Sequence, residues 1–224
     1  MRSDGVADAR LQVRVSEHVQ VRTGRGAGRA GLELVGLDRA AGRGTRGLAA
    51  GVDPVLNCSV DPTNCYAAGV VKTTDCGRSW AAQFKNVDTG DNFYPNGIDC
   101  ATADHCVAVF EGDTCRVLVT TDGGKEWQET MRDTDPACSL VSVRMLSETE
   151  GWITGTHLSA ADFEGRFWHT ADGGKTWAKE AIPNLSIQGL WMEGGFGYAV
   201  AITKADGVKL LRYRAAPAEG RYKA

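Results

Sequence analysis

One motif, repeated three times, constrains this chain more than any other feature. Residues 73–80 read TTDCGRSW, residues 120–127 read TTDGGKEW, and residues 170–177 read TADGGKTW. The shared frame is T-x-D-x-G-x-x-W, and the closing tryptophans stand 47 and 50 residues apart. A fixed period of this size marks a repeat architecture. It matches the length of one β-propeller blade, a four-stranded antiparallel sheet set radially among its neighbours. The expected fold is therefore all-β: a β-propeller or partial propeller of about four four-stranded antiparallel blades, each motif forming a hairpin.

Each residue of the frame has a physical task. Asp-Gly between two β-prone runs is a strong hairpin signal. The carboxylates of Asp75, Asp122 and Asp172 accept backbone N–H groups a few residues on and so lock their turns. Gly77, Gly124 and Gly174 supply the positive φ such a turn needs. Thr73, Thr120 and Thr170 bond within the same turn. Trp80, Trp127 and Trp177 fold back as large apolar bodies between neighbouring blades.

This motif resembles the Asp-box, or bacterial neuraminidase repeat. The residues upstream carry a closer likeness. Gly151-Trp152-Ile153-Thr154-Gly155, followed by Phe167 to Trp177, resembles the G-W-x-V-G…T-x-D-G-G-x-T-W blade of the photosystem II stability and assembly factor family. Residues 65–75 resemble the same blade with Cys for the first Gly. The resemblance covers residues 55–214. It implies a protein-binding propeller with an arginine-bearing face against a reaction-centre protein. Arg116, Arg144 and Arg166 match that face by blade position.

The blades expected are 55–60, 65–69, 70–74 and 79–84; then 96–101, 106–110, 115–120 and 126–131; then 140–146, 152–156, 166–170 and 176–181. A last set, 186–192, 196–203 and 208–214, has no fourth strand and no Asp-box. The resembled family has seven blades. An incomplete ring leaves sheet faces and edges uncovered, so three arrangements stay open: a compact four-bladed ring, pairing with a second copy, or docking on a larger assembly.

Residues 1–50 hold nine Arg, no Lys, five Asp and Glu, and no aromatic residue or cysteine. They read as a separate Arg/Gly-rich extension: targeting, disordered or poorly packed. Asp4, Asp8, Glu17, Glu33 and Asp38 sit badly with a transit peptide, and no apolar stretch suits a secretory signal. The alternation at Leu11, Val13, Val15, Val19 and Val21 also permits a strand that closes another blade. Residues 51–216 form the propeller-like domain and 217–224 a tail.

All seven cysteines fall between 58 and 138. Cys58 and Cys65 recur as Cys100 and Cys106 one repeat later, on adjacent strands within disulfide reach. Cys115 and Cys138 are candidates for a third bridge, leaving Cys76 odd. Free thiols and zinc are the rival readings, although six and five intervening residues do not suit compact zinc knuckles. Disulfides imply an oxidising compartment.

The net charge of −3 gives no basis for nucleic-acid binding. No apolar run reaches the length of a membrane span. No arginine triad of the Asp-box sialidases can be assembled, and no pair of acidic residues stands out as the two carboxylates of a glycosidase. His18, His105, His157 and His169 are scattered, without metal spacing or a nucleophile elbow. The expectation is a scaffold without catalysis, cofactor or metal, bound to photosystem subunits in the thylakoid lumen of a plastid. The alternative is a secreted or periplasmic Asp-box glycan-binding or sialidase-like protein, with Trp152, Trp168 and Trp191 as stacking platforms.

Overall fold

The computed structural model describes residues 12–13, 33–38, 47–53, 67–74, 79, 81–85, 93–159, 163–193, 196–205 and 207–214. Sixteen strands lie among them, in four antiparallel sheets of four. No helix is long and apolar enough to cross a membrane among the described residues.

Blade two contains β6 (Phe93–Cys100), β7 (Cys106–Gly112), β8 (Cys115–Thr120) and β9 (Gln128–Asp133). Blade three contains β10 (Cys138–Met145), β11 (Gly151–Leu158), β12 (Phe163–Thr170) and β13 (Ala178–Pro183). In both, the Asp-box joins the third strand to the fourth. The strand before the first box must then also be a third strand, and blade one obeys. Its sheet runs β2 (Glu33–Asp38), β3 (Gly47–Asp53), β4 (Ala67–Thr73) and β5 (Ala81–Lys85).

This corrects the expected first blade. Residues 65–69 and 70–74 are not two strands with a turn between them. The run from Ala67 to Thr73 is continuous, because β3 and β5 satisfy its backbone on both edges. The missing pair comes from upstream, and the boundary expected at residue 50 falls inside β3. Residues 55–60 lie outside the described residues.

Blade four contains β14 (Ser186–Glu193), β15 (Phe196–Thr203) and β16 (Gly207–Arg214). Its fourth strand is β1 (Gln12–Val13), which pairs antiparallel with β16 through Gln12 opposite Arg212 and Val13 opposite Leu211. The N-terminal part of the chain thus completes the last blade.

The first strand of every blade bears a bulge, at Leu34/Gly36, Pro95/Gly97, Leu140/Ser142 and Ile187/Gly189. A bulge bends and twists its strand, and in blades two to four it falls on the strand that seats on the preceding blade. β6 packs over β2, β3 and β4; β10 over β6, β7 and β8; β14 over β10, β11 and β12. Each junction has an apolar core. Val107, Val109, Val117, Leu140 and Ile153 are buried between blades two and three. Phe93, Phe110, Ile98 and Val70 are buried between one and two. Phe167, Ile187, Ala199 and Leu211 are buried between three and four. Each of the larger side chains is worth roughly 1.5–3 kcal/mol in burial.

Candidate functional site

The two described Asp-boxes share the bonds that tie their Thr, Asp and second Gly together. Thr120 Oγ1 donates to Asp122 Oδ1 at 2.8 Å and accepts Gly124 N–H at 2.9 Å. Thr170 Oγ1 donates to Asp172 Oδ1 at 2.8 Å and accepts Gly174 N–H at 2.8 Å. Asp122 Oδ1 then accepts the N–H groups of Lys125 and Glu126 at 3.0 and 3.1 Å. Asp172 accepts Thr176 N–H at 2.9 Å and its hydroxyl at 2.6 Å. These donors favour the ionised form. The N–H of Glu126 and the Thr120 hydroxyl hold the Asp122 carboxyl below its ordinary value. The hydroxyl and N–H of Thr176 pull Asp172 down to about 2. Gly124 and Gly174 have φ of 87° and 84°, as the turn requires. Of the first box, Thr73 is buried; Asp75, Gly77 and Trp80 lie outside the described residues.

The boxes also fasten blades together. Trp127 packs on the core between blades one and two, and Trp177 on the core between two and three. Trp177 Nε1 donates to Thr130 Oγ1 at 3.3 Å, a residue of the preceding blade's outer strand. Each turn is gripped from the blade before it. Lys72 donates to the carbonyl of Gly123, and His105 Nε2 stands 3.0 Å from that of Gly173.

The structure places the three arginines in separate networks, not on one open face. Arg116 is 2% exposed; it donates to Glu129 at 3.3 Å and lies 4.3 Å over the Phe93 ring. Arg166 is 7% exposed, between Glu164 at 2.9 Å, Asp133 at 3.5 Å and Asp135 at 3.8 Å. The Arg166 guanidinium, through its hydrogen bond, holds the Glu164 carboxyl below its usual range. Arg144 is half-exposed; it donates to Asp99 at 3.1 Å in blade two and to the carbonyl of Met192 at 3.2 Å in blade four. A solvated arginine patch is not what these residues make. Sequence reasoning missed their acidic partners, because Asp99, Asp133 and Asp135 sit at strand ends far from them in the chain.

Two disulfides are present, Cys100–Cys106 and Cys115–Cys138. The first clips the β6–β7 hairpin. The second ties the third strand of blade two to the first strand of blade three. Cys58 and Cys65 lie outside the described residues. No cluster of three metal-ligating side chains occurs among the described residues.

Of the three candidate platforms, Trp168 and Trp152 are buried, Trp152 lying tilted against His169 with 4.3 Å between ring centroids. Trp191 is different. It is 49% exposed and stacks on Tyr198 at 6.1 Å. It belongs to an apolar face of blade four with Phe196, Tyr198, Val200, Ile202 and Val208, all exposed.

No known family profile and no curated protein matches this sequence. Solved structures do. The chain is similar to the GH74 enzyme of Niastella koreensis, with a TM-score of 0.58 and 10% identity over 81% of this chain and 28% of that one. It is also similar to an acylaminoacyl peptidase of Pyrococcus horikoshii, at 0.49 and 10% identity over 80% of this chain and 32% of that one. YCF48 bound to a D1 peptide matches at 0.33 and 12% identity, over 87% and 82%. This chain spans about three-tenths of the length of either enzyme. The fold is that of a β-propeller, with about four blades present.

The first of these likenesses corrects one expectation. The reading of this chain as no enzyme rested on finding no catalytic pattern in its sequence. A GH74 enzyme has a similar fold over 28% of its length, so the fold gives no ground for placing the chain outside enzymes.

Proposed function

We propose that this chain is a protein-docking propeller of the kind represented by the photosystem II stability and assembly factors, held on the lumen side of a photosynthetic membrane complex. The observation that carries the reading is the build of blade three. A Cβ at Gly151 would collide with Met145 Sδ, and one at Gly155 with the carbonyl of Ser139. The two glycines of G-W-x-x-G therefore let the first strand lie close on the second. Trp152 between them faces blade four, and the TADGGKTW turn closes the same sheet. The residues that carry the sequence likeness to that family thus each have a structural task in this blade. YCF48 has been solved with a D1 peptide, and a photosystem subunit is the partner this reading names. Disulfides suit an oxidising lumen.

The test is gentle detergent extraction of source membranes, followed by mass spectrometry of the material that co-purifies with the chain. Photosystem subunits in fixed ratio are expected. A chain recovered free of any membrane complex overturns the reading.

A second reading, a glycan-binding or glycan-cleaving propeller, is favoured by the exposed Trp191–Tyr198 pair, since flat aromatic faces stack on sugar rings. Retention on oligosaccharide resin that disappears in Trp191→Ala supports it, and equal retention of both proteins overturns it.

A further inference from the structure

Blade four carries the one blade face in the described structure that has no following strand on it. Along β15, small residues alternate with large ones. Gly197, Ala199, Ala201 and Thr203 are buried toward blade three, while Phe196, Tyr198, Val200 and Ile202 face outward. Register identifies what that outward face is. The residue paired just past the bulge is Val109 in blade two, Thr154 in blade three and Val200 in blade four. Two positions earlier stand Val107, Trp152 and Tyr198. In blades two and three these positions are buried under the first strand of the next blade. In blade four they are bare.

The strand that fits such a face is a bulged first strand of this same repeat. Three of the four are in use, β6, β10 and β14. The fourth, β2, seats on no other blade among the described residues, although β1 just before it in the chain lies at the outer edge of blade four. We infer that blade four of one copy receives blade one of a second copy, and the reverse, so that two chains close an eight-bladed ring. The junction continues one the chain already makes three times.

Size and symmetry select two copies. Four strands about 4.8 Å apart and eight residues long present a face of about 500 Å². One junction then buries about 1,000 Å², short of a standard stable interface, and two bury about 2,000 Å², at its upper end. A head-to-tail contact either closes into a ring or grows into a filament. Two copies give eight blades, within the four to eight common among propellers, and three copies overshoot.

The test is sedimentation of the full chain across concentration, with Val200→Lys and Ile202→Lys as variants. Each would bury an unpaired charge in the junction. Twice the mass of one chain is expected, with the dissociation constant raised roughly 100-fold or more in either variant. Unchanged thermal unfolding of the variants at dilution would show that they still fold. Amide exchange should slow on dimerisation in both 33–38 and 196–203. Protection of 196–203 alone would mean face-to-face pairing and overturn the ring. So would the mass of a single chain at every concentration, or an open series of larger masses. The inference stands apart from the photosystem reading, because a ring is detected with the purified chain alone.

Discussion

Val109 of blade two and Val200 of blade four stand at the same register position, just past the bulge of their neighbouring strand, yet only Val109 is fully buried. Around Val109 the strand is sealed on both faces, by Val70 and Phe84 of blade one on one side and by Leu140 and Val143 of β10 on the other. Around Val200 only the small-residue face is sealed. The difference lies in the neighbour. A propeller blade is a half-finished object whose second face is completed by the next repeat, so identical backbone geometry yields a core in one place and an adhesive surface in another.

Substitution in the sealed region should be costliest. Ile153→Ala removes a fully buried side chain between blades two and three and should lower stability by about 2–5 kcal/mol in denaturant unfolding. Val208→Ala on the open face, where the valine is 66% exposed, should change the dissociated chain by less than about 0.5 kcal/mol. Equal effects would erase the distinction between the two regions.

Reduction comes next. Cys115–Cys138 closes a separation of 23 residues across the blade two–three junction, and Cys100–Cys106 one of 6 within a hairpin. Replacing the first pair by serines should cost about 3 kcal/mol and the second about 2 kcal/mol. Thermal unfolding of the two double variants gives the order.

Glycine substitutions sharpen the comparison. Gly174→Ala meets both a positive φ and a wall, since a Cβ there would lie 3.0 Å from Val119 Cγ2 and 3.1 Å from Trp177 Cζ2. Gly207→Ala in blade four meets only the positive φ, with nothing within 4 Å. About 1–2 kcal/mol is expected for the backbone alone, and more at Gly174. Chemical unfolding of the two variants should rank them in that order.

The smallest effect is one of pH. Asp172 has its carboxyl lowered from 3.8 to about 2 in the folded chain. Its contribution is fully present above its unfolded value and is lost as pH falls from about 4 toward 2. Asp172→Asn should flatten the fall of the unfolding midpoint over that window, with the variant below the parent at neutral pH and the two converging toward pH 2.

Much of this was legible in the sequence, and for local reasons. The Asp-box encodes its own turn, so both described boxes form as their residues dictate. Cys100 and Cys106 flank one hairpin, so their pairing follows from nearness in the chain. What escaped was non-local. β2 and β3 come from residues without an aromatic anchor, and the pairing of β3 with β4 depends on β4 having two edges to satisfy. Arg116 and Arg166 read as surface charges because Glu129 lies on another strand and Asp133 and Asp135 belong to the preceding blade and the turn after it. The alternation FGYAVAIT was plain to see, but whether the large or the small face is buried depends on which blade lies beside it.

Hydroxyl-radical footprinting of the chain at a dilution where it sediments singly tests the open fourth blade most directly. The account predicts rapid labelling of Trp191, Phe196 and Tyr198 while Phe93, Phe110 and Phe167 stay protected. Protection of Trp191, Phe196 and Tyr198 in the single chain would contradict it, because blade four would then be closed on blade one of the same molecule.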